Sequence, residues 1–156
     1  MSIKKIIFTL SFFLLISCGY EPIYSEKNKK NYFFSIDKIE FVENTRLNRK
    51  IKSKLKPYMN LENKTKKIKL KIKSSKNKSI ELKNKKGEAE KFKVEIIVNL
   101  SMAEHENYNK KINIKESFIY DNQTNQYNLA EHEAQIDNNL ISKITHNIIL
   151  YLYSLK

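Results

Sequence analysis

Residues 67–73 read KIKLKIK, and this stretch decides the fold. In an extended chain Ile68, Leu70 and Ile72 fall on one side and Lys67, Lys69, Lys71 and Lys73 on the other. A helix would scatter these residues around its circumference. A strand, with a period of two, gives one apolar face and one wet face. Residues 92–102, FKVEIIVNLSM, repeat the pattern, so Phe92, Val94, Ile96, Val98, Leu100 and Met102 are expected in the core. Residues 110–120, KKINIKESFIY, form the next strand, with Ile112, Ile114, Phe118 and Tyr120 expected inward and Glu116 interrupting them. One-sided alternation in consecutive strands predicts an antiparallel meander with one solvated face. The connection Ser74–Glu90 carries Lys85-Lys86-Gly87 as its turn.

The elements on either side complete the layer. Within Tyr32–Val42 two alternations run one step out of phase, Phe34/Ile36 and then Ile39/Phe41. The slip at Asp37-Lys38 predicts a bulge or a change of buried face. Asn44 or Thr45 can cap the helix that follows. Its apolar stripe is Leu47, Ile51 and Leu55, and it ends near Pro57. Arg46, Arg49, Lys50, Lys52 and Lys54 flank the stripe, either as a solvated face or as a ligand-binding one. From Leu129 to Leu155 a second stripe runs Ala130, Ala134, Asp137, Ile141, Ile144, Ile148, Tyr151, Leu155. This helix is about 40 Å long at 1.5 Å per residue. It reads as a helix across a sheet, with a coiled-coil seam as the other reading. Ala130 and Ala134 are expected against the sheet, and Asp137 interrupts the stripe. The order is β-α-β-β-β-α. Strand-helix-strand makes the first two strands parallel if they are neighbours. The expectation is an α+β, two-layer sandwich: a four-stranded mixed sheet with two helices on one face.

Ahead of this domain the composition changes. Lys4 and Lys5 precede an apolar run, Ile6–Ile16, followed by Ser17, Cys18 and Gly19. A short positive segment, an apolar core of about ten residues and a small-residue site make a secretory signal peptide. The run is short for a membrane span of about 20 residues. A plain signal peptide with an incidental Cys, or an uncleaved anchor, is the alternative. Leu15-Ile16-Ser17-Cys18 resembles the lipobox of bacterial lipoproteins. That resemblance implies cleavage before Cys18 and acylation of its thiol and of the new amino terminus. By the same resemblance, Gly19 rather than Asp favours the outer membrane. The expected organisation is a signal peptide over 1–17, a lipidated tether over 18–31 and one domain over 32–156. Cys18 is the single Cys, so no intrachain disulfide can form and packing must supply the stability.

The formal charge is +13. Such a charge points to nucleic acid or to an anionic surface. The export signal and the inward placement of Phe92 and Phe118 argue against nucleic acid. Phospholipid headgroups, lipopolysaccharide and other envelope polymers remain. A compositional bias toward Lys, Asn and Ile could produce the same total without selection for binding. Lys67, Lys69, Lys71, Lys73, Lys91, Lys93 and Lys115 are expected on the wet sheet face, relieved mainly by Glu95. Catalysis is not expected. His105, His132 and His146 are scattered, and the two on the long helix lie about 21 Å apart. Glu104-His105-Glu106 reads as turn chemistry. No cofactor or metal site, phosphate loop or nucleophile elbow stands out.

Three short segments carry a family resemblance: Cys18-Gly19-Tyr20-Glu21-Pro22-Ile23-Tyr24; Thr45-Arg46-Leu47; and Phe118-Ile119-Tyr120-Asp121 through Gln126-Tyr127-Asn128-Leu129-Ala130 with Ala134. In order and spacing they resemble the outer-membrane lipopolysaccharide-assembly lipoprotein family, LptE, in its alphaproteobacterial form. The resemblance implies a lipid-anchored domain that plugs, and helps assemble, the barrel (LptD-type) that inserts lipopolysaccharide into the outer leaflet, and that binds lipopolysaccharide. Charge and position make Lys85 and Lys86 at the hairpin tip, with Lys91 and Lys93 beside them, the candidate lipopolysaccharide contacts. The alternative is an envelope lipoprotein that binds peptidoglycan or another anionic polymer.

Overall fold

The structure, a computed structural model, describes residues 32–43, 45–103 and 110–155. Cys18 and the rest of the leader and tether, and His105 with its two Glu neighbours, lie outside the described residues. The elements are β1 (Phe34–Phe41), α1 (Arg46–Leu55) with a 3-10 turn (Lys56–Tyr58), β2 (Lys66–Lys83), β3 (Ala89–Ala103), β4 (Lys110–Asp121) and α2 (Gln126–Tyr153). The strand order is β1-β2-β3-β4. β1 and β2 are parallel, joined through α1, and the other two pairings are antiparallel. The mixed sheet with two helices is therefore the expected α+β sandwich.

Local chemistry sets the element ends. The Thr45 hydroxyl accepts a hydrogen bond from the Asn48 amide at 3.1 Å and caps α1. Asn125 caps α2 in the same way, accepting from the amides of Tyr127 and Asn128. The β1–β2 register shifts between Ile36 and Lys38, which makes Asp37 the bulge. The bulge keeps Phe34 and Ile36, then Ile39, all buried despite the change of phase.

One core joins the layers. Ile68, Leu70 and Ile72 of β2 and Val94, Ile96, Val98, Leu100 and Met102 of β3 are buried beneath Ile51 and Leu55 of α1 and Leu140, Ile141, Ile144, Ile148 and Leu152 of α2. Asn48 is buried too, and its polar groups are satisfied: its amide donates to the Glu43 carbonyl and its oxygen accepts from the Ser74 hydroxyl at 2.5 Å. This ties α1 to β2 through a polar link where an orphaned amide would be costly.

Three expectations change. β2 does not stop near Lys73 but runs to Lys83, so most of Ser74–Glu90 is a paired hairpin rather than a connection. The inner positions of this extension begin polar: Ser74 bonds to Asn48 of α1, and Lys76 and Lys78 pair with Asp137 and Glu133 of α2, while Ile80, opposite Phe92, is half-exposed. Ala130 and Ala134 face away from the sheet; Leu129, Ile136 and Leu140 are buried instead. Turning those aliphatics inward removes far more apolar surface from water than two alanines would. Phe118 sits in the inner register opposite Val94 but is 46% exposed, because β4 is an edge strand flanked on one side only. Among the described residues no helix is long and apolar enough to cross a membrane.

Candidate functional site: the basic hairpin

β1 pairs with β2 only as far as Ile72, so the rest of β2 extends past it with β3 as its partner. At about 3.4 Å per residue, the eleven residues to Lys83 extend about 35 Å. At the tip, Asn84 builds the turn. Its backbone amide donates to the Glu88 carbonyl, and its carbonyl accepts from the Gly87 amide, both at 2.9 Å. Its side-chain oxygen accepts from the amides of Lys86 and Glu88, and its side-chain amide donates to the Glu88 carboxylate. Gly87 has φ +84°, the left-handed conformation that closes the turn and that glycine adopts without penalty. Lys85 and Lys86 are exposed on this ordered tip.

Lys91 and Lys93 share the outer sheet face two residues apart, opposite Leu82 and Ser79. They stand back from the tip along β3, so the hairpin carries all four lysines without gathering them into one pocket. Lys91 is already engaged: it pairs with Asp121 across β4 at 2.7 Å, and that hydrogen bond and charge hold its ammonium above the usual lysine range. Lys67, Lys71 and Lys73 are exposed on the same face. Lys115 pairs with Glu95 at 2.7 Å, and Lys38 pairs with Glu40 at 2.8 Å. The Lys38 ammonium holds the Glu40 carboxyl below its usual range.

The opposite face of the hairpin holds residues the sequence reading left out. Lys76 pairs with Asp137 at 2.6 Å, and Lys78 with Glu133 at 2.5 Å, which joins the extension to α2. The Tyr120 hydroxyl donates to the same Glu133 oxygen at 2.7 Å. The Lys78 ammonium lies 4.1 Å from the Phe92 ring centroid, a cation–π contact. Burial works to raise the Glu133 carboxyl, but the hydrogen bonds from Lys78 and Tyr120 and the charges of Lys78 and Lys76 outweigh it and hold it below the usual range. Tyr120 moves the other way. Burial comes first, then its bond to Glu133 and the charges of Glu133 and Asp137, and together they push its phenol well up. The two interruptions noted in the sequence are explained here: Asp137 meets Lys76, and Glu116 accepts from the Asn147 side chain of α2 at 2.9 Å. The sequence trace of this cluster is slight: Lys76 and Lys78 keep the period of two past Ser74, without the apolar partners that mark a strand.

The sequence matches no family model and no curated protein sequence. Its fold does match solved structures. Rare lipoprotein B from Shewanella oneidensis is 12% identical, with a TM-score of 0.57 over 78% of this chain and 98% of that one. A minor lipoprotein from Acinetobacter baumannii is 12% identical, with a TM-score of 0.58 over 77% of this chain and 91% of that one. A lipoprotein from Caulobacter crescentus is 18% identical, with a TM-score of 0.51 over 75% of this chain and 88% of that one. The chain therefore shares its fold with several bacterial lipoproteins.

Proposed function

We propose that this chain is an outer-membrane lipoprotein, anchored through acylated Cys18, that plugs and helps assemble the barrel translocon inserting lipopolysaccharide into the outer leaflet. The observation that carries this reading is the fold match over nearly the whole of rare lipoprotein B, taken with the three sequence segments that resemble the LptE family. The lipobox-like Leu15-Ile16-Ser17-Cys18 and Gly19 support it from the sequence. The physical character of the domain suits the role. A barrel lumen is polar, so a plug needs a charged outside and a core of its own. Here the outer sheet face and the hairpin tip present lysines, while one apolar core lies between sheet and helices.

In this reading the domain binds and positions rather than catalyses. Lys85 and Lys86, with Lys93 behind them, meet lipopolysaccharide phosphates as point charges. Lys91, held by Asp121, contributes less. A mild-detergent pulldown of the full chain with mass spectrometry tests the role. The expected result is stoichiometric recovery of a large outer-membrane β-barrel. Recovery of peptidoglycan or another envelope polymer without a barrel would favour the alternative envelope-binding reading. In vitro, Lys85→Glu with Lys86→Glu is expected to weaken lipopolysaccharide binding, and unchanged binding would remove those two residues from the site.

A further inference from the structure

The two outer edges of the sheet are guarded differently. On β1 the register breaks at Asp37, and Met59 covers the strand around Ile36 with a parallel bridge. β4 has neither device. Its register with β3 runs without a shift from Lys91–Asp121 to Met102–Lys110, and among the described residues no strand lies outside it. Asn122 fixes the phase of this ladder, because its amide donates to the Glu90 carbonyl at 2.8 Å. Antiparallel residues alternate between bonded and non-bonded pairs. The even-numbered residues from Ile112 to Tyr120 therefore bond to β3. The odd-numbered residues from Lys111 to Asp121 direct their N–H and C=O groups away from the sheet.

Exposed edges are commonly guarded by lysines, prolines or bulges. In β4 the lysines fall in the first half, and Glu116–Asp121 holds none of these guards. In that half Phe118 on the inner face and Ile119 on the outer face are each close to half exposed. Apolar surface divided between both faces of one edge suits a strand, whose successive side chains fall on opposite faces. A helix or a lipid surface would cover one face only. Lys115 is already held by Glu95, and Asp121 by Lys91. Lys111, exposed on the outer face, stands about 27 Å from Ile119 along the strand. The edge thus has an apolar end and a basic end.

We infer that the β4 edge is a docking site for an extended strand of a partner polypeptide, added antiparallel as a fifth strand, with consecutive aliphatic residues against Phe118 and Ile119 and a carboxylate against Lys111. Main-chain hydrogen bonds to the odd-numbered residues supply affinity, and side chains at alternate positions supply specificity. The apolar and acidic ends of the incoming strand set its direction and register. The edge can take such a strand whether or not the partner is a barrel.

The test uses the full chain in mild detergent and a labelled, end-blocked peptide, Val-Ile-Thr-Thr-Thr-Val-Thr-Val-Glu. The expected result is saturable binding by fluorescence anisotropy. Amide exchange is expected to slow at Asn113, Lys115, Ser117 and Ile119, and to stay unchanged at Glu116 and Phe118, whose amides already bond to β3. Ile119→Lys is expected to weaken binding about tenfold. Ile80→Lys makes the same change at an equally exposed isoleucine two strands away, and is expected to leave binding within about twofold. No binding, or equal losses in the two variants, would overturn the inference. Binding without the alternating protection would also overturn it, because the peptide would then not be adding to the ladder. A dimer of the free chain by analytical ultracentrifugation, dissociated by Ile119→Lys, would assign the edge to a second copy instead.

Discussion

Glu133 holds two groups with one carboxylate. Its Oε1 accepts from the Lys78 ammonium and from the Tyr120 hydroxyl. The pair is partly exposed, 39% for the lysine side chain and 26% for the glutamate, so its worth is that of a half-screened ion pair. Glu133→Gln keeps an acceptor for Tyr120 and removes the charge. It is expected to cost about 0.5–1 kcal/mol at neutral pH by chemical denaturation. The sign of the pH dependence follows from the lowered carboxyl. Its stabilisation is fully present above the ordinary glutamate value of 4.5 and is lost as pH falls through the lower folded value. The stability gap between the parent and Glu133→Gln is therefore expected to be constant at neutral pH and to close below pH 4.5. A gap unchanged in acid would show that the charge contributes nothing. Gly87 belongs to the same scale. No atom lies within 4 Å of where its Cβ would be, so Gly87→Ala meets no clash and costs only the left-handed backbone, about 1 kcal/mol. Differential scanning calorimetry would read this as a modest fall in Tm with the fold retained.

The strands and helices show what periodicity can and cannot carry. Ile96 is fully buried on β3, whereas Ile80, further along the hairpin on β2, is 48% exposed. Ile96→Ala is expected to cost about 2–5 kcal/mol and Ile80→Ala less than about 1 kcal/mol, compared by urea denaturation. The core halves of β2 and β3 were legible because an apolar face beside a charged one leaves a single register. The bulge in β1 was legible as the change of phase at Asp37. The extension of β2 was not, because strand signals rest on apolar alternation. In residues 74–83 the inward positions are Ser74, matched to Asn48 of α1, Lys76 and Lys78, matched to Asp137 and Glu133 of α2, and the half-exposed Ile80, rather than a continuous core stripe. The stripe through Ile141, Ile144 and Ile148 is buried as expected, and only the facing of the first turns of α2 failed, for a related reason. Its first turns carry small, polar and aliphatic residues on every side, so the stripe through Ala130 and Ala134 looked as good as the true one through Leu129, Ile136 and Leu140. Only the partners across the sheet separate the two. The candidate lysines were legible as charge and position, whereas the parallel bridge by which Met59 folds back onto Ile36 is announced by no local pattern.

At the scale of the molecule, one apolar core lies between a charged sheet face and two amphipathic helices, in a chain whose formal charge is +13. An exposed lysine face is tolerable at physiological salt, where charges beyond about 8 Å are screened, and it is better accommodated against an anionic or polar wall. Among the described residues the core runs from Phe34 to Leu152, with Tyr32 and Phe33 packed against it. Under the proposed anchoring, Cys18→Ser is expected to abolish acylation and membrane retention while leaving the Tm of the domain unchanged. Mass spectrometry of the exported protein and calorimetry read the two effects independently.

The plug role makes a geometric demand that surface docking does not: the wall must surround the domain. Photo-crosslinking residues placed at Lys71 on the sheet face and at Leu150, 52% exposed on α2, probe the two layers from outside. With both layers enclosed, each position is expected to crosslink in cells to inward-facing residues of one β-barrel's strands. Crosslinks from one position only, or from neither, would contradict enclosure and with it the central claim.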